Sequence, residues 1–463
     1  MSFASIDFLL FFAIVLGGTA IIERHFPRRV KECFLLLASY FFYGYWDWRF
    51  CFLLLFVTVS SFFAAKYSRI KAAFVCGVVV PLVVLGFFKY FNFFLGSASA
   101  IIGKDLGALK IILPVGISFY TFQALSYVID VHREKIPVEN DFIKLALYIS
   151  FFPQLVAGPI IRASDFLPQL QENRKVSFEN IKWGTQVFAF GLFKKIVLAD
   201  HISVFVDDVY SKPAAFHWAT IALAAVSYSV QIYFDFSGYS DMAIGCAKCL
   251  GYDFNRNFNL PYISQSATEF WRRWHISLST WLKEYLYIPL GGNRRGKTRQ
   301  YINLMLTMLL GGLWHGANWT FVFWGGINGL ALCADKLRHE KQRSGIVRAF
   351  KVIITFLFIT FTWIFFRADS FPVAWAVIKG IFTFQSGIRQ PFAWTFVALV
   401  FLTAGTIAAE QKTRKAKTDT DTNGYYPILD LNSIWGLTAF FVELGLILAL
   451  AYTGENPFVY FQF

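Results

Sequence analysis

The chain has 463 residues, of which 56% are hydrophobic, 19% aromatic and only 16% charged, whereas a soluble domain carries about one quarter charged residues. Its apolar surplus, 55 Phe included, must face lipid as well as a core, which excludes an ordinary soluble enzyme. The net charge of +14 is scattered over many inter-span loops, so it reads as the cytoplasmic loop charge of a membrane protein and no nucleic-acid partner is expected.

A crossing needs about 20 apolar residues, so the length implies one all-α, polytopic transmembrane bundle of about ten to twelve spans, a single domain over residues 1–463. Residues 1–8 lack the Lys or Arg of a cleavable signal. The first apolar stretch, Phe8 to Ile22, precedes Arg24, His25, Arg28, Arg29 and Lys31, and is expected to be an uncleaved span with its basic end in the cytoplasm. Further spans are expected over 33–46, 50–65, 72–95, 111–131, 143–157, 186–199 and 218–235, then 303–333, 348–366, 393–409 and 434–452. Several are shorter than a full crossing and are expected to be tilted, broken or re-entrant, which is tolerated where backbone is buried in protein or lines a cavity. The basic clusters at 24–32, 66–71, 132–144, 272–299, 335–351 and 412–417 are assigned to the cytoplasm. That assignment puts the N-terminus and the aromatic tail 456–463 outside.

Residues 303–333 break the alternation, because basic loops flank them on both sides. A pair of half-helices of about 14 residues, rising about 21 Å each, would turn at Gly311-Gly312 or Gly316 and carry His315 deep into the bilayer. A long kinked span followed by an amphipathic helix is the alternative. His25, His132, His201, His217 and His339 lie in or beside polar loops, whereas His315 sits among apolar residues. Such a residue is either satisfied by a neighbouring carbonyl or functional. Gly311, Gly312 and Gly316 leave room beside it, Trp314, Trp319 and Trp324 supply bulky walls, and Asn318 offers an amide to His315 or to a reacting carbonyl. A neutral imidazole there can accept a proton from an attacking hydroxyl.

In the segment 271–281, Trp271, Trp274, Leu278 and Trp281 form an apolar stripe at helical spacing. It reads as an interfacial helix with snorkelling Arg272 and Arg273, or as that same helix at a cytoplasmic doorway for a phosphate-bearing acyl donor. Arg294, Arg295, Lys297 and Arg299 add to the positive mouth, with His275 as a second polar gate. Asp235 and Asp241 are expected to make structural ion pairs with nearby arginines. Cys246 and Cys249 form a lone C-x-x-C, short of the four ligands of a closed metal site, and no metal is expected. Ser237 lies in F-S-G, which is no nucleophile elbow.

In these motifs the chain resembles the membrane-bound O-acyltransferase (MBOAT) family, and within it the alginate O-acetyltransferase AlgI-like branch. The resemblance runs from Leu113-Pro114-Val115-Gly116-Ile117-Ser118-Phe119-Tyr120-Thr121-Phe122-Gln123 through Phe152-Pro153-Gln154 with Ala157-Gly158-Pro159-Ile160 and Tyr233-Phe234-Asp235-Phe236-Ser237-Gly238-Tyr239-Ser240-Asp241. It continues in Phe270-Trp271-Arg272-Arg273-Trp274-His275 and Tyr287-Ile288-Pro289-Leu290-Gly291-Gly292-Asn293, and ends in Gly311-Gly312-Leu313-Trp314-His315-Gly316-Ala317-Asn318-Trp319. The motif-rich part spans residues 111–334. The resemblance implies a ring of helices around a central funnel, a catalytic histidine at His315 and a second one at His275. It also implies a multi-pass protein of the bacterial inner membrane, with lipid around it. The implied donor is a cytoplasmic thioester, acetyl-CoA as substrate rather than bound cofactor. The implied route leads to a periplasmic SGNH-type acetyltransferase partner and an exported polysaccharide such as alginate, peptidoglycan or cellulose. By position in the tail, Tyr460 corresponds to an acyl relay; an aromatic interfacial anchor is the other reading. The rival readings are D-alanyl transfer from a carrier protein, and a transporter or flippase in which His315 is a gate.

Overall fold

The computed structural model describes residues 1–156, 158–172, 174–338, 344–415 and 429–454, with backbone alone over 406–415. The expected relay residue Tyr460 and the whole tail 456–463 lie outside the described residues. The described secondary structure is helical, without a β-sheet, and the chain groups into two compact units, Met1–Phe188 with Tyr239–Asn255, and Ala189–Gly238 with Arg256–Phe463.

In the first unit the apolar stretches fold as Ile6–His25, Arg28–Asp47, Arg49–Lys66 and Lys71–Leu85. The last of these continues through a π-helical turn, Gly86–Tyr90, into Phe91–Ile102. Ser5 caps the first helix, its hydroxyl accepting from Phe8 N at 3.2 Å. Phenylalanines fill the core: Phe11 meets Phe152 edge-on at 5.2 Å, and Phe42 lies 5.7 Å from Phe152. Two expected spans are broken. Residues 111–116 are not helical, and the helix begins at Ile117 after Gly116, whose φ of +73° and contact with the Leu155 carbonyl leave no room for a Cβ. The stretch 143–157 stops at Ser150, because Pro153 cannot donate to the preceding turn.

In the second unit a π-helical stretch, Phe193–Ala199, leads into Asp200–Ser211. The helix Trp218–Cys249 has 32 residues and contributes its length up to Gly238 to this unit. Lys195 Nζ lies 2.6 Å from Asp200 and 2.7 Å from Asp235, all three buried. Asp235 therefore pairs with a lysine carried in an apolar stretch, a partner that the sequence reading did not name. Pairing is what makes such burial tolerable. The helices Gly345–Arg367, Phe371–Phe382, Ala393–Lys415 and Ile434–Leu450 follow. Phe371–Phe382 was not anticipated, because its 12 residues fall short of a crossing.

Residues 297–338 form a helical hairpin, Lys297–His315 and Trp319–Arg338, turning at Gly316-Ala317-Asn318. Of the two expected turn sites Gly316 is the one used, and the arms have 19 and 20 residues rather than about 14. Gly311 and Gly312 stay helical. Gly312 and Gly325 sit at the crossing of the arms, where a Cβ on Gly312 would strike the Phe321 carbonyl and one on Gly325 the Met308 carbonyl. Gly329, one turn on, faces Met305 and Met308. Small residues four apart let two backbones approach closely, the G-x-x-x-G logic of helix pairs in membranes.

Among the described residues five helices are long and apolar enough to cross a membrane, Ile6–His25, Arg49–Lys66, Lys71–Ile102, Trp218–Cys249 and Gly345–Arg367. The protein is a multi-pass membrane protein.

Candidate active site

A cavity of about 430 Å³ lies wholly within the second unit. The first hairpin arm lines it with Gln300, Leu304, Thr307, Met308, Gly311 and His315. These positions recur at three- and four-residue steps, so they share one helix face, and Gln300 and His315 are about 22 Å apart along the axis. Leu278, Leu282, Leu332 and Trp324 complete an apolar wall. The charged residues on the wall are Arg272, Lys283, Arg294 and Lys336, with no carboxylate among the lining residues. Arg294 precedes the first arm and Lys336 ends the second, so both stand at the open end of the hairpin, opposite the turn that holds His315. The result is a cationic mouth leading along an apolar wall to one imidazole.

His315 closes the first arm and is 4% exposed. Trp324 and Phe366 meet its ring edge-on, with centroids at 5.2 and 5.3 Å. Trp314 also meets it edge-on, at 5.0 Å, and is buried but not among the lining residues. Trp319 is 52% exposed and borders an apolar groove with Phe323 and Leu330 instead of the cavity. Asn318 also looks elsewhere. Its Oδ1 accepts from Thr320 N at 3.0 Å and its Nδ2 donates to the Asp369 carbonyl at 2.8 Å. It serves as the cap of the second arm, whose first N–H groups need an acceptor.

The expected continuous helix through Trp271–Trp281 is two helices, Ala267–Arg273 and Ile276–Leu282. Between them His275 adopts φ +43°, a left-handed conformation that costs a non-glycine residue energy. The segment 257–259 compensates: Asn257 O accepts from Ile276 N at 2.8 Å, and Asn259 N donates to the Arg273 carbonyl at 2.8 Å. Asn257 Oδ1 also takes Ser277 N at 3.2 Å and Ser277 Oγ at 2.9 Å. His275 is fully buried, is not a lining residue of the cavity, and lies 6.4 Å from His315 between ring centroids. Full burial disfavours the charged imidazolium. The structure thus brings His275 to His315 rather than to the mouth.

Of the arginines singled out in the sequence, Arg272 and Arg294 line the cavity and Arg273 does not. Arg273 pairs with Glu269 at 2.9 Å and donates to the Asn259 carbonyl at 3.2 Å. Sequence reasoning missed Asn257, Lys283 and Lys336. The lysines carry no motif, but Lys336 stands four residues beyond Leu332 and on its face, a signal that helical periodicity could have supplied. Asn257 sits in an irregular segment, where spacing says nothing.

A family model for the membrane-bound O-acyltransferase family matches residues 133–371, which contain the whole cavity and both histidines. The chain belongs to that family. It is 42% identical over 400 residues to a protein of Pseudomonas aeruginosa named probable alginate O-acetylase AlgI, covering 83% of this chain and 75% of that one. It is 39% identical over 388 residues to a peptidoglycan O-acetyltransferase of Helicobacter pylori, covering 76% and 73%. A teichoic acid D-alanyltransferase of Streptococcus thermophilus is more distant, 28% identical over 244 residues, or 50% of this chain and 58% of that one. As an MBOAT protein the chain is a membrane acyltransferase.

Proposed function

We propose that this MBOAT protein draws an acetyl group from acetyl-CoA on the cytoplasmic side of a bacterial inner membrane and delivers it across the membrane for O-acetylation of an exported polysaccharide, peptidoglycan or an alginate-like polymer. The single observation that carries the reading is the cavity lined by four cations, with His315 on the same wall at the far end of the hairpin arm from Arg294. Coenzyme A thioesters carry phosphates at one end of a long thin arm and the reactive carbonyl at the other. The cations match the phosphates, the apolar wall accepts the arm, and the carbonyl arrives at His315. The identities to an alginate O-acetylase and a peptidoglycan O-acetyltransferase support acetyl as the group moved.

In this mechanism the hydroxyl oxygen of an acceptor attacks the thioester carbonyl carbon while His315 takes its proton. The C–S bond breaks, and His315 returns the proton to the departing thiolate, leaving an O-acetyl ester and the free thiol. A dry wall protects the thioester from water. The acceptor hydroxyl is that of Tyr460, acting as relay, or of a periplasmic SGNH-type partner that then acetylates the polymer.

His315→Ala tests this. A positioned general base contributes roughly a hundred- to ten-thousandfold, so thiol release from acetyl-CoA should fall by about that factor while the protein still accumulates in membranes. Undiminished polymer acetylation by the variant would remove His315 from the mechanism. Turnover that requires a D-alanyl carrier protein in place of acetyl-CoA would transfer the chain to the other branch of the family. Movement of substrate without thioester consumption would make it a transporter.

A further inference from the structure

The contact between Asn257 and His275 decides which nitrogen of the second histidine carries its hydrogen. Asn257 is 1% exposed, and one polar atom of its amide faces three groups: Ser277 N at 3.2 Å, Ser277 Oγ at 2.9 Å and His275 Nδ1 at 3.1 Å. A backbone N–H can only donate, so the amide atom it meets is the oxygen. An amide oxygen can only accept, so His275 Nδ1 carries the hydrogen. In a neutral ring the other nitrogen then presents a lone pair. The main chain of Asn257 holds the same turn, through its carbonyl and Ile276 N at 2.8 Å. Aromatic walls set the ring plane: Phe236 meets it edge-on at 4.6 Å, Phe258 stacks at 6.5 Å, and Trp314 lies at 6.0 Å. His315 is a titratable neighbour, at 6.4 Å between ring centroids.

We infer that Asn257 is a positioning residue that fixes His275 as the Nδ1–H tautomer and so makes its Nε2 a hydrogen-bond acceptor beside His315. The inference rests on the proposed role of the His275–His315 pair in acyl transfer. Its chemical consequence is a division of labour. His275 cannot donate to the developing oxyanion of the thioester. It receives a hydrogen, from the incoming hydroxyl or from His315 once that ring has taken a proton, and so orients the proton transfer. A side chain that fixes a histidine's tautomer from behind typically matters ten- to a hundredfold where the histidine is a metal ligand, and a comparable factor is expected here.

The test uses membranes containing the full chain and acetyl-CoA, with thiol release as readout. Asn257→Leu keeps the shape and loses the acceptor; kcat should fall roughly ten- to a hundredfold, with KM for acetyl-CoA changed less than about twofold. Asn257→Asp keeps the acceptor and adds a negative charge facing Nδ1–H, which favours protonated His275. Activity should survive at alkaline pH and be lost on the acid side at a higher pH than in the parent. In a His275→Gln background, Asn257→Leu should cost nothing more. An equal loss in both backgrounds, or an unshifted pH profile for Asn257→Asp, would reduce Asn257 to a structural residue and overturn the inference. Full activity of His275→Gln alone would instead overturn the role of His275 on which it rests. If Asn257→Leu does not accumulate, the pH profile of Asn257→Asp decides alone.

Discussion

Two adjacent arginines occupy one short helix, and the structure gives them different work. Arg272 faces the cavity, whereas Arg273 is held by Glu269 and a backbone carbonyl. Their sequence context is the same, W-R-R-W, so the difference comes from helical phase: neighbours on a helix point about a quarter-turn or more apart. Arg294 joins Arg272 on the cavity wall. Replacing Arg294 by Ala should therefore raise KM for acetyl-CoA roughly tenfold, the worth of one charge-assisted contact to a phosphate at about 1.5 kcal/mol, with kcat little changed. The effect should shrink at high salt, which screens the mouth of both proteins. Arg273→Ala should leave KM unchanged and lower the thermal stability of the extracted protein. Equal KM values for Arg294→Ala and the parent would take the phosphate-binding mouth out of the proposal. His315 was legible because an ionisable residue in an apolar run stands out by composition alone. Asn257 was illegible because its importance is entirely tertiary: the irregular segment carrying it is brought to His275 by folding, and no periodicity encodes that.

The hairpin 297–338 is the element on which the site depends, and the sequence revealed its topology better than its detail. Basic loops on both flanks pointed to a hairpin or to a kinked span with an amphipathic helix, and the structure forms the hairpin. Arm length was underestimated because the polar residues 297–302 fell outside the apolar window, although a helix can extend beyond its apolar stretch. The interfacial helix through Trp271–Trp281 failed for the opposite reason. Its periodicity is real, yet Asn257 and Asn259 take the hydrogen bonds of the break and stabilise a left-handed His275. The close crossing at Gly312 and Gly325 yields a direct expectation. A Cβ on Gly325 meets backbone, which cannot rotate away, whereas one on Gly326 meets only the Leu309 side chain at 3.4 Å. Gly325→Leu should destabilise the protein by about 1–3 kcal/mol through overpacking and, by spreading the arms, lower turnover. Gly326→Ala should be near neutral in both. Thermal unfolding in detergent and thiol release read the two effects; a stable, fully active Gly325→Leu would mean that the arms do not need their close approach.

At the scale of the whole molecule, composition alone fixed the class, because a chain with 16% charged and 19% aromatic residues has too little polar surface to face water everywhere. Counting spans was harder. Helices such as Phe142–Ser150 and Phe371–Phe382, of 9 and 12 residues, are too short to cross alone, and the buried Lys195 with its two aspartates interrupts a stretch that hydropathy treats as uniform. What survives these irregularities is the sign of the loops. The cations that line the cavity, Arg272, Lys283, Arg294 and Lys336, belong to the basic clusters that the positive-inside bias retains in the cytoplasm. Acetyl-CoA is charged and does not cross a sealed membrane, so sidedness becomes measurable. Inverted membrane vesicles, with the cytoplasmic face outward, should release thiol from added acetyl-CoA. Right-side-out vesicles should do so only after permeabilisation, and His315→Ala vesicles in neither orientation. Activity of intact right-side-out vesicles would put the cationic mouth on the outer face and reverse the topology read from the loops. It would also reverse the proposed direction of transfer, because the donor would then enter from the side on which the polymer is acetylated.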